Sequence, residues 1–571
     1  MNKIAWTRKA RAAARVIAML AALHLAFLPA AFAQSAEGSL LKDRWFFCFG
    51  YKRDRQGVDA IRSLIDVAAD HGLNGMVLSS FNLDGITRWN ESDISLLREI
   101  VDYCSAKKIE WIPTGFSAGY GGAALSFDPS FAAALPVLIS LKAEGGEIRS
   151  VATKNMLVNG DLEQRDGDRF AGYGFHDLPG QISFADSAAA SGQTCIRFEN
   201  FGSFSGHGRI MQTVAVKPGR AYRFSLKIKT ENLDPVSGIK AMVLSEGRSL
   251  TSVAPTIAAT QDWTEFSLDY INADESEIRL YAGIWQGKSG TFWLDDLRFS
   301  EYGSLGDIAR RDGAPLELRS RDRDAIFAEG RDFEPVRCLR ELDRLAIPPG
   351  SSIRDGENLE MSCYKIPYVS HEFGRQISLC MSNPKLYEHW EAEARRLYEV
   401  APYKRFLLSM DEIRNGGGCL LCQSSGLSMA QILGNCLTRQ RDIFKAIDPG
   451  IEVLTWSDML DPAHNAHDNY YGVVGDFTGS WNYIPKDLSI MCWLYKTRDE
   501  SLGFFSGLGL KTYGAAYYDA SDLSNPRDWL VSLKNTDGAQ GIMYTSWQKK
   551  YALLAGFGDL VSSASAEMDS K

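Results

Sequence analysis

Residues 406–456 contain the pattern that decides the fold. An apolar run, Phe406-Leu-Leu-Ser-Met410, is followed by a segment with apolar residues at helical spacing, Ser428–Ile447, and then by a second apolar run, Ile451-Glu-Val-Leu-Thr-Trp456. Short apolar runs joined by amphipathic helices are typical of βα units around a parallel sheet. This stretch therefore predicts a strand, a helix and a strand of an α/β fold.

The same alternation recurs along much of the chain. Helical spacing is also found in Asp59–His71, Glu91–Ala106 and Leu386–Val400. With the two runs above, further apolar runs bring the predicted strands to eight: Trp45–Gly50, Leu73–Ser80, Ile109–Phe116, Ile490–Leu494, Thr512–Tyr518 and Ile542–Trp547. Eight strands that alternate with helices predict a closed (β/α)8 barrel of the TIM type.

A long interruption separates the third predicted strand from the fourth. Residues 151–302 are rich in Gly and Ser and alternate polar with apolar residues, as in Tyr222-Arg-Phe-Ser-Leu-Lys-Ile-Lys229. Period-two alternation between short turns predicts an all-β sandwich. Residues 303–370 are charged and punctuated by Pro and Gly, and we expect a small β-rich linker domain there. The barrel is thus predicted in two parts, 34–150 and 371–571.

The N-terminus has the pattern of an export signal. Basic residues precede an apolar run, Val16–Pro29, that closes on Ala31-Phe-Ala33. This predicts a signal peptide over residues 1–33, cleaved near Ala33, and a secreted or periplasmic mature chain. No later stretch reaches the roughly 20 apolar residues that a membrane span needs.

Composition narrows the classes of partner. The 571 residues have a formal net charge of −9 and no basic stripe, so nothing favours nucleic acid or an anionic membrane surface as partner. Aromatic residues make up 11% of the chain, which suits either ordinary core packing or the stacking of sugar rings on aromatic faces. We expect an oligosaccharide, polysaccharide or glycoconjugate as partner.

Two adjacent carboxylates, Asp411 and Glu412, directly follow the fourth predicted strand. In (β/α)8 enzymes the reacting groups project from the carboxyl ends of the strands. Later predicted strands end in aromatic and acidic residues: Trp456 and Asp458, Trp493, Tyr517 and Asp519, and Trp547. Three Trp at the ends of three strands favour an aromatic pocket that faces the acids. The alternative is a helix start or a solvated acidic turn.

The barrel segments resemble glycoside hydrolase family 20, the β-N-acetylhexosaminidases. The resemblance rests on Arg44 before the first strand, on Ile61–Asn74, on Asn383-Pro-Lys-Leu-Tyr387, and on the order of the later Trp and Tyr-Asp positions. Three positions depart from the family pattern, at Leu408-Ser-Met410, Leu78-Ser-Ser80 and Gln548. These departures concern the specificity for the terminal sugar more than the fold.

The resemblance implies a role for each site residue. Glu412 would be the general acid/base, and Asp411 would orient the 2-acetamido group of the substrate, whose carbonyl oxygen attacks the anomeric carbon. Tyr518 would hydrogen-bond that carbonyl, with Tyr517 as the second choice. The implied substrate-binding residues are Arg44, Trp456, Asp458, Trp493, Tyr517, Asp519 and Trp547, and no cofactor is implied for catalysis.

The sandwich resembles the jelly-roll carbohydrate-binding modules of the family 4/9/22 type. Its first segment is Asn155-Met-Leu-Val-Asn-Gly-Asp-Leu-Glu163 and its last is Thr291-Phe-Trp-Leu-Asp-Asp-Leu-Arg-Phe299. The resemblance implies a structural Ca²⁺ held by Glu163 and Asp295, with Asp161 or Asp296 as further choices. Carboxylate oxygens are ligands that Ca²⁺ prefers.

The cysteines just beyond Glu412 leave three possibilities open. Cys419-Leu-Leu-Cys422, with Cys436 downstream, has zinc-like spacing, although the sequence identifies no fourth ligand. A disulfide beside the active site is compatible with an exported protein, and unpaired thiols are the third possibility. For His464 and His467 we favour sugar contact or loop polarity over a metal.

These patterns together predict an exported glycoside hydrolase that removes N-acetylhexosamine-type sugars by substrate-assisted retaining hydrolysis. Two alternatives remain. One is a hydrolase of another specificity that uses a separate carboxylate, such as Asp458 or Asp519. The other is a non-catalytic glycan-binding protein.

Overall fold

Eight parallel strands close into a barrel in the computed structural model, which describes residues 41–371 and 374–569. The predicted signal peptide lies outside the described residues. The barrel strands, each paired with the next and the last with the first, are β1 (Asp43–Phe49), β2 (Gly75–Ser79), β3 (Glu110–Gly115), β4 (Arg405–Leu408), β5 (Glu452–Trp456), β6 (Ser489–Cys492), β7 (Lys511–Tyr517) and β8 (Ala539–Thr545). The predicted closed parallel barrel is confirmed.

The helices follow the strands less regularly than in an ideal barrel. They are α1 (Arg55–Asp70), α2 (Glu91–Ala106), α3 (Gly122–Phe127), α4 (Pro384–Val400), α5 (Leu420–Ser424), α6 (Met429–Ile447), α7 (Arg498–Gly507), α8 (Ser524–Lys534) and α9 (Leu554–Asp569). Side-chain caps define several starts, as at Asp54 before α1 and in the capping box of Ser428 and Gln431 before α6. The connection from β5 to β6 contains 3-10 turns in place of an α-helix.

The strands of the barrel send alternate side chains to two separate cores. In β1, Trp45 and Phe47 enter the cluster inside the barrel, whereas Phe46 and Cys48 join the cluster between the barrel and its helices. Successive side chains of a strand point to opposite faces, so each strand must be apolar on both sides. This requirement explains the continuous apolar runs in the sequence.

Between β3 and α4 the chain forms two large sheets, besides short two-stranded ones. The strands of the eleven-stranded sheet are Leu135–Glu144, Glu147–Ser150, Ser183–Asp186, Cys195–Phe198, Arg220–Asp234, Gln261–Asn272, Ser289–Glu301, Glu317–Ser320, Ile326–Phe327, Arg344–Ala346 and Asn358–Lys365. The five-stranded sheet contains Phe175–His176, Gly208–Ala215, Ile239–Ser245, Arg248–Val253 and Glu277–Ile284. Apolar residues of both sheets share one core, so the prediction of added β structure at this point is confirmed.

One predicted boundary differs from the structure. Residues 135–150 were expected in the first barrel part, but the strand Leu135–Glu144 pairs antiparallel with Asn358–Lys365 in the inserted sheet. The same sheet includes strands of the expected linker region 303–370. The inserted β structure therefore begins before residue 151. The strand Leu135–Glu144 lies inside the sheet, between Arg220–Asp234 and Asn358–Lys365, which starts more than 200 residues later in the chain.

The amino-terminal end of the barrel is closed by a charged network. Arg405, at the start of β4, contacts Asp43 at 3.3 Å, Glu452 at 2.9 Å and Glu110 at 2.5 Å. The hydroxyl of Tyr513 donates a hydrogen bond to Asp43 at 3.0 Å. The site of interest lies at the opposite end, where the strands finish. Among the described helices, none is long and apolar enough to cross a membrane.

Candidate active site

Asp411 and Glu412 lie just past the carboxyl end of β4, in the mouth of the barrel. Both are partly exposed, whereas the preceding Met410 is buried. Glu412 has a left-handed backbone with φ 49°, a conformation that is rare for residues other than glycine and is found at strained functional sites. The predicted position of the pair is what (β/α)8 enzymes require of reacting groups.

Four residues from four segments of the chain hold Glu412 in place. Arg414 contacts its carboxylate at 2.7 Å, and the hydroxyl of Tyr120 donates a hydrogen bond to the other oxygen. The side-chain amide of Gln376 donates to the backbone oxygen of Glu412 at 2.8 Å, and the backbone N–H of Glu412 donates to Asp458 at 2.9 Å. These contacts fix both the carboxylate and the backbone.

The loop after β3 approaches the acidic pair very closely. A Cβ added to Gly119 would lie 2.0 Å from the backbone oxygen of Asp411. Only glycine permits this approach. The segment Gly119-Tyr-Gly-Gly122 thus carries Tyr120 to Glu412.

Asp458 is a buried carboxylate whose oxygens are all engaged. It accepts hydrogen bonds from the N–H of Glu412, from the amide of Asn465 at 2.9 Å and from the indole of Trp493 at 3.3 Å. Burial raises the pKa of Asp458 to about 6, and the charge of Glu412 acts in the same direction. With an exposure of 0%, Asp458 orients its neighbours rather than meeting a substrate.

Asp411 is the third member of this carboxylate group. Burial raises its pKa well above the ordinary range of an aspartate, and the charges of Asp458 and Glu412 raise it further. Three carboxylates at close quarters disfavour one another's ionised forms. Asp411 and Asp458 therefore retain protons more readily than isolated carboxylates do.

Aromatic rings line the mouth beside the acids. The rings of Trp493 and Tyr518 stack with centroids 5.6 Å apart, and Trp547 lies 6.3 Å from Trp456. Trp493, Tyr518 and Trp547 are partly exposed, whereas Trp456 is buried beneath them. The structure thus brings the predicted tryptophans together, with Trp456 as the floor of the cup.

The two adjacent tyrosines point in opposite directions. Tyr518 belongs to the cluster inside the barrel, and Asp411, Asp458 and Glu412 are near enough to raise its pKa, after the larger effect of burial. Tyr517 stacks on Tyr544 at 4.1 Å, in the cluster outside the barrel wall. The structure therefore brings Tyr518 to the site and not Tyr517, because the left-handed backbone of Tyr517, with φ 75°, ends the alternation of β7 and leaves its ring outside the barrel, next to Ala516.

Two further predicted substrate-binding residues do not reach the cup. Arg44 lies at the start of β1 and donates to the backbone oxygens of Gly72 and Leu41 at 2.9 Å, at the other end of the barrel. The carboxylate of Asp519 accepts hydrogen bonds from Ser546 at 2.6 Å and from the backbone N–H of Trp547 at 2.8 Å. Arg44 therefore binds the chain itself, and Asp519 positions the Trp547 loop.

Sequence reasoning missed Tyr120, Gln376 and Arg414 as parts of the site. Tyr120 follows the glycine of closest approach, and Arg414 stands two residues beyond Glu412. Of the three, only Arg414 is close enough to Glu412 in sequence for its position to indicate a contact. Gln376 precedes α4, at a distance in sequence that no pattern connects to Glu412.

The two histidines do not meet as metal ligands. The ring of His464 lies against Trp493, with centroids 4.3 Å apart, and burial lowers its pKa to about 4. His467 lies against Tyr470, with centroids 6.0 Å apart. His464 is thus a neutral ring that supports the aromatic cup.

The acids expected to bind Ca²⁺ in the sandwich hold one loop. Asp295 accepts hydrogen bonds from the backbone N–H groups of Ala190 at 2.7 Å and Ser191 at 2.9 Å. Glu163 accepts from those of Gln193 and Thr194. Within the described residues, no third His, Cys, Asp or Glu joins this pair at ligand distance.

Of the further choices for Ca²⁺, Asp296 is already paired with cations. It contacts Arg298 at 2.7 Å and Lys227 at 3.2 Å. Backbone N–H groups donate to Asp295 and to one carboxylate oxygen of Glu163. The Ca²⁺ expectation stays a prediction, and a Ca²⁺ titration of thermal unfolding tests it.

Comparison with known proteins identifies one segment. Residues 154–288 match the carbohydrate binding domain family, within the predicted sandwich. A comparison with curated proteins gives no match. This segment is therefore assigned as a carbohydrate-binding domain, and the family assignment does not extend to the barrel.

Several solved structures are similar to parts of the chain at low identity. A CBM4 structure has 17% identity and a TM-score of 0.20, over 25% of this chain and 99% of that chain. A rhamnosidase from Novosphingobium sp. PP1Y has 9% identity and a TM-score of 0.34, over 93% and 59%. A Flavobacterium johnsoniae chitobiase has 10% identity and a TM-score of 0.35, over 92% and 52%. Likenesses of this size carry no argument about activity.

Proposed function

We propose that this protein is an exported glycoside hydrolase that removes N-acetylhexosamine-type sugars by substrate-assisted, retaining hydrolysis. The observation that carries the proposal is the partly exposed pair Asp411-Glu412 at the mouth of the barrel, beside the rings of Trp493, Tyr518 and Trp547. Carboxylates facing aromatic rings match a sugar, which offers hydroxyls for the acids and C–H faces for the rings. The carbohydrate-binding domain at residues 154–288 supports the same substrate class.

In the proposed first step the acetamido carbonyl oxygen of the substrate attacks the anomeric carbon. The glycosidic C–O bond breaks, and Glu412 gives its proton to the leaving oxygen. Asp411 accepts a hydrogen bond from the acetamido N–H, and the hydroxyl of Tyr518 donates one to the carbonyl oxygen. In the second step water opens the cyclised sugar, Glu412 takes up the proton of that water, and the configuration is retained.

The contacts of the other two acids argue against a separate carboxylate nucleophile. Asp458 is fully buried with three donors, and Asp519 is engaged by Ser546 and the Trp547 loop. A nucleophile needs a free lone pair directed at the anomeric carbon. Covalent labelling of either acid by a mechanism-based fluorosugar would favour the two-carboxylate alternative.

Hydrolysis of aryl N-acetylhexosaminides tests the proposal. We expect the wild-type chain to release N-acetylglucosamine or N-acetylgalactosamine, and Glu412→Gln to lower kcat by about 10²–10⁴-fold, the usual contribution of a general acid/base. The matched control is Glu388→Gln, a change at an exposed position of α4, which should keep full activity. Glycan binding without any turnover by the wild type would instead select the non-catalytic alternative.

The export part of the proposal rests on residues 1–33 of the sequence. If the signal peptide is cleaved as proposed, protein recovered from outside the cytoplasm begins near Gln34. N-terminal sequencing tests this, and a chain that keeps residues 1–33 would contradict it.

A further inference from the structure

Three cysteines from two segments meet in the core beside the candidate active site. The sulfur of Cys380 lies 3.4 Å from that of Cys419 and 3.9 Å from that of Cys422, and the last two are 3.6 Å apart. All three are buried, with exposures of 1–5%. Cys436, which the spacing had suggested as the third member, lies apart and contacts Tyr387.

The triangle of sulfurs has the size of one face of a zinc tetrahedron. Zinc–thiolate bonds of roughly 2.3 Å at tetrahedral angles require sulfurs about 3.8 Å apart, and the three distances bracket that value within half an ångström. A disulfide would join two of the sulfurs and leave the third alone. The three sulfur–sulfur distances are nearly equal. A shared ion explains this equality, whereas a disulfide would bring two of the sulfurs much closer together than either is to the third.

The surroundings provide space and positive charge. A small cavity of about 10 Å³, lined by the three cysteines and by Met429, lies at the cluster, and this is close to the space that one water molecule needs. The side chain of Arg311 donates to the backbone oxygens of Ser130 and Ala132. The backbone N–H of Cys380 donates to the backbone oxygen of Phe131, which lies between them in sequence.

The guanidinium of Arg311 keeps unused donors near the cluster. Within the part of the chain that the structure describes, its Nε and Nη2 atoms are buried and have no hydrogen-bond acceptor. The guanidinium of Arg311 is near enough to Cys419 for its charge to act on that residue. An ion with three thiolates has a net negative charge, which this cation offsets.

We propose that Cys380, Cys419 and Cys422 form a structural site for Zn²⁺. Among the described residues no fourth His, Cys, Asp or Glu joins them, so the fourth ligand is a small neutral group, either the hydroxyl of Ser382, which contacts Cys422, or a water molecule.

The position of the site gives it a structural purpose. Cys380 lies four residues after Gln376, which binds the backbone oxygen of Glu412. Cys419 lies five residues after Arg414, which binds the carboxylate of Glu412. An ion bound here ties together the two segments that position Glu412. Its removal should therefore loosen the catalytic loop without touching any group that meets a substrate.

Metal content of the full chain tests the site. We expect protein purified with zinc present and without reductant or chelator to retain one Zn²⁺ per chain, by elemental analysis. Cys380→Ser, Cys419→Ser and Cys422→Ser should each lose it, and the matched control Cys436→Ser, a buried cysteine outside the cluster, should keep it. Replacement by Co²⁺ should give the thiolate-to-cobalt absorption band in the wild type.

Two results on the wild-type chain would overturn the proposal, whether or not the variants fold. One is a zinc-free protein in which all three thiols titrate after unfolding. The other is an intact mass and peptide map showing a disulfide between any two of them. Because metal content is measured without substrate, either outcome leaves the hydrolase proposal untouched.

Discussion

Glu412 adopts its left-handed backbone because contacts from several parts of the chain hold it there. Arg414 and Tyr120 bind its carboxylate, and Asp458 accepts its N–H. A non-glycine residue in this region costs of order 1–3 kcal/mol and persists only where its surroundings over-determine it. Such a backbone is found at the residue to which the proposed chemistry assigns proton transfer, and also at Tyr518 and Asp519 beside it.

The raised pKa of Asp458 predicts a pH dependence of stability. The folded chain keeps its proton up to about pH 6, whereas the ordinary value is 3.8. Between these values the folded state binds more protons than the unfolded state, so this group's contribution to stability falls as pH rises from 4 to 7. The fall should be on the order of 2–3 kcal/mol.

Asp458→Asn removes the titrating group. The free energy of unfolding of the wild type should therefore exceed that of this variant by more at pH 4 than at pH 7. Denaturant unfolding at the two pH values measures it. Asn465→Ala is the control, because it removes a hydrogen bond to Asp458 but keeps the titrating carboxylate. A difference between wild type and Asp458→Asn that does not vary with pH would contradict the assignment.

At the scale of elements, Arg405 joins strands across the amino-terminal end of the barrel. It contacts the acids that begin β1, β3 and β5, and its side chain is only 13% exposed. Removing one partner of a buried ionic network leaves charges without compensation, which is more costly than the network itself is stabilising.

Arg405→Met should therefore lower the free energy of unfolding by about 3–5 kcal/mol. Denaturant unfolding followed by circular dichroism measures the change. The matched control is Arg319→Gln, because Arg319 forms an exposed ion pair with Glu317, and exposed pairs contribute little. Equal stability of the two variants would show that the Arg405 network does not hold the strands together.

The elements themselves were largely predictable because the barrel strands are apolar on both faces. The first strand was expected at Trp45–Gly50 and is found at Asp43–Phe49. The strand Leu135–Glu144 was assigned to the wrong region, since its partner Asn358–Lys365 is remote in sequence. Local patterns show that a strand exists, but they do not show which distant strand completes its sheet.

For the whole molecule, the site depends on which end of the barrel a residue reaches. The carboxyl ends of the barrel strands carry Asp411, Glu412 and the three tryptophans. Their convergence was predictable from that position alone. Arg44 precedes a strand and lies at the opposite end. Tyr120 and Gln376 come from loops on either side of the insert, and no local pattern reports that folding brings such loops together.

The central claim is that Asp411 and Tyr518 hold an acetamido group while Glu412 transfers a proton. A thiazoline analogue of the cyclised intermediate tests this most directly, by titration calorimetry on the full chain. We predict that the wild type and Glu388→Gln bind one analogue per chain with equal affinity, and that Asp411→Asn weakens binding at least tenfold, about 1.4 kcal/mol. No binding by the wild type, or equal binding by Asp411→Asn, would contradict the account.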